Sequence, residues 1–303
     1  MARHARDLWQ TFRVKLRTAF SLVLLAAAQV TAAAEQNSPA PRVTEELASL
    51  QPGRIDREIE RISEHAASGP QVYFVGFAGF GEERVFAEEI SLASARIAER
   101  YGSGQRSLRL VNDRRDVESF PLATAAALRY ALKGLGRVMD ADDVLFLSLS
   151  SHGMKGAHLS VTNTGMREST LDAKELAQML RESGIQWRVV IVSACFSGSF
   201  VKPLADDHTI VIAAAAKNRS SFGCSDQRDL TYFGEAFYRD ALSRSTHLRE
   251  AFETAREEIR ERELAEEFTP SKPQAFFGPL MEEKLRGIEQ AYPPITLRPD
   301  QGQ

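Results

Sequence analysis

Cysteine is scarce in this chain: 303 residues contain two, Cys195 and Cys224. Two thiols are too few for a disulfide framework or a thiolate metal site, so neither is expected to hold the fold together. No charge of one sign dominates. The formal net charge of −3 leaves no basic face to argue for nucleic acid and no acidic surplus to argue for disorder. The rest is ordinary for a soluble globular chain, with 43% hydrophobic and 26% charged residues. There is no internal repeat, and no low-complexity tract beyond an Ala-rich beginning.

An uninterrupted apolar run of roughly 20 residues, the length that spans a bilayer, is also missing. The N-terminus instead carries Arg3, Arg6, Arg13, Lys15 and Arg17, then an apolar stretch from Ala19 to Ala28, then Ala32-Ala33-Ala34. That order is the layout of a secretory signal peptide, expected over residues 1–34. The alternative is an uncleaved anchor, for which the apolar stretch is short and interrupted by Gln29 and Thr31. On either reading the rest of the chain is exported, to a periplasmic or extracellular location, and a membrane is a partner only if the segment stays attached. Pro39, Pro41 and Pro52 mark residues 35–53 as a linker. A single domain is expected over 54–290, with a tail over 291–303.

Short apolar runs alternate with amphipathic segments. Strands are expected over 71–76, 107–111, 143–150, 188–192 and 209–213, with an edge strand at 274–278. Phe86, Ile90, Ile97 and Tyr101 share one helical face. Pro121 suits the first turn of a helix reaching about Val138, and Thr170 can cap a helix that Gly184 ends. Two more helices are expected near 232–243 and 247–264, and a hairpin over 156–165. Continuous Val/Ile/Leu strands alternating with helices predict an α/β fold with a mostly parallel central sheet between helical layers.

In such a sheet, sites form where loops leave the carboxyl ends of the strands. The third strand runs into Ser150-Ser151-His152-Gly153, and the fourth into Ser193-Ala194-Cys195-Phe196-Ser197-Gly198-Ser199. If these strands are neighbours, an imidazole and a thiol leave the same edge, as a nucleophile and its base must. A helix beginning near Ser197 would favour thiolate at Cys195. Backbone N–H groups of Gly153 and Cys195 could receive an oxyanion. A buried cysteine is more often a small hydrophobe, and a lone histidine more often a loop residue; the pairing at two strand ends is what raises both. His158 and His208 read as solvated, and His152 with His158 forms no zinc pattern. Gly76, Gly79 and Gly81 read as a tight turn, because their spacing is not that of a dinucleotide fingerprint. Cys195 and Cys224 are expected as free thiols, with a bond between them as the alternative.

Together, the segments 146–153 (FLSLSSHG), 190–199 (VIVSACFSGS) and 215–221 (AAKNRSS) resemble the legumain family of clan CD cysteine peptidases. The similarity runs from about Gln71 to Arg239, and Ser271-Lys-Pro-Gln-Ala-Phe-Phe-Gly278 is similar to the tail of other caspase-like domains. The resemblance implies a caspase-like three-layer fold and a catalytic dyad of His152 and Cys195, with Gly153 as the oxyanion-hole glycine. It implies a pocket for the residue preceding the scissile bond, built from Arg84, Ser193, Ser220, Ser221 and Glu235. Two positions depart from the family: Ser193 stands where legumains carry glutamate, and Ser151 where aspartate is common. A pocket with Arg84 and fewer acids is expected to be positive, accepting acidic side chains at least as well as Asn. The implied reaction is endopeptidase cleavage of a peptide or protein substrate through a thioester, with no metal or organic cofactor. A transamidase or ligase of the same family and a catalytically silent binding protein are the alternatives.

Overall fold

The structure, a computed structural model, describes residues 41–65 and 69–291. The expected signal peptide (1–34), the start of the linker and nearly all of the tail lie outside the described residues. In chain order the strands are β1 (Val72–Ala78), β2 (Ser107–Val111), β3 (Val144–Ser150), β4 (Gly153–Met154), β5 (His158–Val161), β6 (Ser169–Asp172), β7 (Trp187–Ser193), β8 (Thr209–Ala213) and β9 (Gln274–Phe277). Six form one sheet in the order β2-β1-β3-β7-β8-β9. The first five are parallel and β9 is an antiparallel edge. Strands β4, β5 and β6 form a small second sheet.

The side-chain pattern explains the layers. In β3, Leu145, Leu147 and Leu149 face one apolar cluster, which also contains Ile55 and Leu128 from two helices, Gln51–Ser63 and Ala125–Leu135. Val144 and Phe146 face the other, with Ile97, Phe237, Phe252 and Leu285 from helices on the opposite side. A strand buried on both faces needs no polar alternation, which is why its sequence is almost continuously apolar. The second face then changes character along β3: after Val144 and Phe146 come Ser148 and Ser150, both buried. In β7 the same face runs Val189, Ile191, Ser193. The register sets Ser150 opposite Ser193, so both central strands turn polar at their carboxyl ends.

Several local expectations are corrected. The presumed linker is helical from Glu45: Thr44 caps Glu45–Ser49 through the Leu47 N–H, and Pro52 begins the helix Gln51–Ser63. Ile55 and Ile62 are buried, so this helix belongs to the domain. Pro121 is not in a helix. Its carbonyl accepts from Val111 N at 2.8 Å, which keeps the chain extended until Thr124 caps Ala125–Leu135. Thr170 is spent in strand pairing with Ser160, and Asp172 caps the helix Ala173–Ser183 instead, accepting from Lys174 N and Glu175 N. The hairpin after β3 is a three-stranded sheet reaching Asp172. The helix near 232 contains a π-helical stretch, Glu235–Ala241, and a last helix, Pro279–Ala291, was not foreseen. Among the described residues, no helix is long and apolar enough to cross a membrane.

The loop leaving β1 is pinned by Asn112, a fully buried side chain just beyond β2. Its Nδ2 donates to the carbonyls of Gly79 and Ala123, both at 2.9 Å, and its Oδ1 accepts from Ala123 N at 3.1 Å. Asn112→Ala leaves these buried backbone groups short of partners, at ~1–3 kcal/mol per unsatisfied group. We expect a loss of about 2–4 kcal/mol in urea unfolding with an unchanged m-value. A loss below ~0.5 kcal/mol would mean that water replaces the side chain.

Candidate active site

Strand order reverses between β1, whose chain continues to β2 on one side, and β3, whose chain continues to β7 on the other. Loops leaving the carboxyl ends at such a point diverge and open a crevice. The β1 exit carries residues 79–84, the β3 exit carries His152 and Gly153, and β7 next to it leads to Cys195. His152 and Cys195 each stand two residues beyond the paired Ser150 and Ser193.

Gly153 shows how tightly these ends meet. A Cβ there would overlap the carbonyl oxygen of Cys195 and crowd the Ala194 side chain, so only glycine allows the strand to turn against Cys195. Ser151 is structural: its hydroxyl donates to Ser160 O at 2.6 Å and its N–H to Ser193 O at 3.2 Å. After Cys195 the chain turns sharply. Phe196 takes a left-handed φ of 57°, unusual for a residue with a side chain. The turn is held by Phe196 N donating to Arg219 O at 2.8 Å and Gly198 N to Ala215 O at 2.7 Å. Ser197 Oγ accepts from Ala215 N at 3.0 Å. The helix expected at Ser197 is only a 3₁₀ turn, Ser197–Phe200, followed by Val201–Leu204. Its dipole is correspondingly short, and the main groups on the sulfur are those of Ser221.

Cys195 Sγ accepts from Ser221 N at 3.3 Å and donates to Ser221 O at 3.4 Å. Ser221 is therefore in the site through its backbone, while Ser220 beside it is exposed. Both cysteines are free. Burial pushes the Cys224 thiol up, with the neighbouring Cys195, Glu89 and Glu83 adding to the shift, so Cys224 stays protonated at neutral pH.

Arg84 is the last residue of the β1 exit, and its charge is already matched. Its guanidinium pairs with Asp229, and its backbone N donates to Asp226 Oδ1 at 3.0 Å. Glu235 is taken up by arginines. Its carboxylate is held by Arg228, Arg239 and Arg262, with Arg262 also stacked 3.7 Å from the ring centre of Tyr232. It secures the helix that follows the Ser221 loop.

An acid from another element lies beneath Ser193. Glu89, in the helix Val85–Tyr101, is fully buried under Ser150 and Ser193. Its Oε1 accepts from Ser150 Oγ at 3.1 Å and its Oε2 from Thr231 Oγ1. Ser193 Oγ lies 3.4 Å from Thr231 Oγ1. Thr231 also caps the next helix, accepting from Gly234 N at 2.9 Å. Arg84 is thus paired, and Glu83 stands beside it in the same loop. Glu89 had a signal in the sequence: it is a charged residue inside the apolar stripe of Phe86, Ile90, Ala93 and Ile97. Glu83 had none, being one of two adjacent glutamates in a loop.

The glycines after β1 serve packing. A Cβ at Gly79 would lie 2.7 Å from Ser160 O, so this loop lies against the small sheet, and Phe80 bridges to Thr162 there. His158 is 3.5 Å from Asp172, and His208 packs on Trp187. A model of the Peptidase C13 family matches residues 126–282, slightly more than half of the chain and both strand ends that carry His152 and Cys195. Glu83, Arg84 and Glu89 precede the matched segment. No curated protein matches the chain.

Burial raises the Glu89 pKa in spite of its hydroxyl donors. A folded-state pKa above the unfolded value of roughly 4.3 means that the folded chain binds the proton more tightly. That contribution to stability is full below the unfolded pKa and is lost as pH rises through the folded pKa. Glu89→Gln, which imitates the neutral acid, should gain stability relative to the parent as pH rises from about 4 to 8. Urea titrations across that range check this; a difference flat with pH would contradict it.

Proposed function

The chain belongs to the peptidase C13 family, the legumain family of clan CD, and its function is of cysteine-peptidase type; from that premise we propose an exported endopeptidase cutting peptides through Cys195 and His152. The observation that carries the reading is the meeting of two strand ends: His152 and Cys195 lie two residues beyond one paired register position, with Gly153 closed on the Cys195 carbonyl.

The thiolate of Cys195 adds to the carbonyl carbon of the scissile bond, its proton having passed to His152. The oxygen of the tetrahedral intermediate is received by the N–H groups of Gly153 and Cys195. His152 returns the proton to the departing amine nitrogen as the C–N bond breaks, leaving a thioester. Water, deprotonated by His152, then adds to the thioester and releases the acid and the thiol. The chemistry needs no metal or organic cofactor. The Arg- and Lys-bearing start, the apolar stretch and Ala32-Ala33-Ala34 support export with cleavage after residue 34.

For the residue preceding the scissile bond, the pocket supports Asn over Asp. A carboxylate entering beside Arg84 meets a guanidinium already paired with Asp229, with the Glu83 carboxylate next to it in the chain. A neutral amide both donates and accepts without adding negative charge. Peptide pairs differing only in Asn or Asp are expected to differ by about tenfold or more in kcat/KM at neutral pH, which corresponds to ~1.4 kcal/mol. Cys195→Ala should abolish turnover of both. Equal or faster cleavage after Asp would reject the pocket reading, and undiminished turnover by Cys195→Ala would reject the mechanism.

A further inference from the structure

A general base at a strand end needs a partner that fixes its ring, and neither β3 nor β7 supplies one to His152. The imidazole stands edge-on to Phe80 and Phe86, with ring centres 4.6 and 5.0 Å away. These rings confine it sideways and leave its rotation and tautomer undetermined. Its Nε2 lies 3.0 Å from Glu83 Oε2. That oxygen is buried and has no in-line hydrogen-bond donor.

The neighbouring charges are spent elsewhere. Glu82 accepts from Thr164 Oγ1 at 3.2 Å and lies 3.6 Å from Arg114. Arg84 pairs with Asp229. Among the described residues, His152 is the only basic side chain paired with Glu83. The loop bearing Glu83 is itself held in place: Gly81 N donates to Thr162 O at 2.9 Å, and Arg84 N to Asp226 at 3.0 Å. The carboxylate is thus carried by a fixed segment and meets the ring at one nitrogen.

We propose that Glu83 is a positioning residue for His152: its Oε2, buried 3.0 Å from Nε2 and without another donor, takes Nε2–H as the ring turns into line, leaves Nδ1 to exchange protons with Cys195 and the leaving amine, and balances the imidazolium charge. This rests on the peptidase reading above. The proton travels from the thiol to Nδ1 and from Nδ1 to the amine nitrogen, and Glu83 neither gains nor loses one. A carboxylate in this role stabilises the charged ring as well as orienting it. Gln at position 83 keeps an acceptor and loses the charge; Ala loses both.

The test uses the full chain and two readouts. The first is the rate of iodoacetamide alkylation at Cys195, followed by mass spectrometry, which needs no substrate. The second is kcat and KM on an Asn-containing peptide, with thermal unfolding as the control for folding. Glu83→Ala should lower both the alkylation rate and kcat by about a hundredfold, and Glu83→Gln by about tenfold, with KM within about twofold. Alkylation and kcat within twofold of wild type in a folded Glu83→Gln variant would overturn the proposal. So would a rise in KM at constant kcat, which would make Glu83 a substrate-binding group. If Glu83→Ala fails to fold, Glu83→Gln alone decides. If wild type turns over no peptide, the peptidase reading fails, while the alkylation comparison still decides the role of Glu83.

Discussion

The parallel pairing of β3 with β7 is the constraint on which the site depends, because it sets Ser150 against Ser193 and carries the imidazole and the thiol out of the sheet side by side. Parallel strands in register send equivalent residues to the same edge. Two further residues on each strand therefore bring His152 and Cys195 into one region without any long side-chain reach. Gly153 completes the arrangement. Without a Cβ it lets the β3 exit close on the Cys195 carbonyl, which any larger residue would hold apart. The central strands are buried on both faces, and that burial keeps the two ends from sliding past one another.

The same pairing builds a polar floor beneath the reactive groups. Ser150 and Ser193 continue the faces begun by Phe146 and Ile191, and the hydroxyls meet Glu89 and Thr231. A buried carboxylate is expensive unless it is hydrogen-bonded or neutral, and Glu89 has the donors and a raised pKa. The cluster ties four separate stretches of chain together: the helix after β1, the ends of β3 and β7, and the start of the helix at Tyr232. The loop carrying Ser221 is anchored between the Phe196 turn on one side and the arginines around Glu235 on the other.

Much of this was readable from residues in order. The five parallel strands, the edge strand at Gln274 and the places of His152 and Cys195 just past two strand ends follow from apolar runs broken by Ser-Ser-His-Gly and Ser-Ala-Cys. What escaped the sequence was decided by partners distant along the chain. Thr170 looks like a helix cap, but strand pairing with Ser160 takes it first, and Asp172 is free for the job. Proline at position 121 looks like a helix start, but its carbonyl is needed by Val111. The resemblance places Glu235 in the pocket, whereas three arginines hold its carboxylate. Charge balance was the hardest to see: Arg84 reads as a free cation until Asp229 is found beside it, and Glu83 acquires meaning only next to His152.

The account is tested most directly by the site of reaction with a peptide electrophile. Incubation with an Asn-ending peptidyl electrophile, followed by peptide mapping, should place one adduct on Cys195 and none on Cys224, and His152→Ala should form it far more slowly. An adduct on Cys224, or a His152→Ala variant labelled as fast as the parent, would contradict the pairing of thiol and imidazole on which everything above rests.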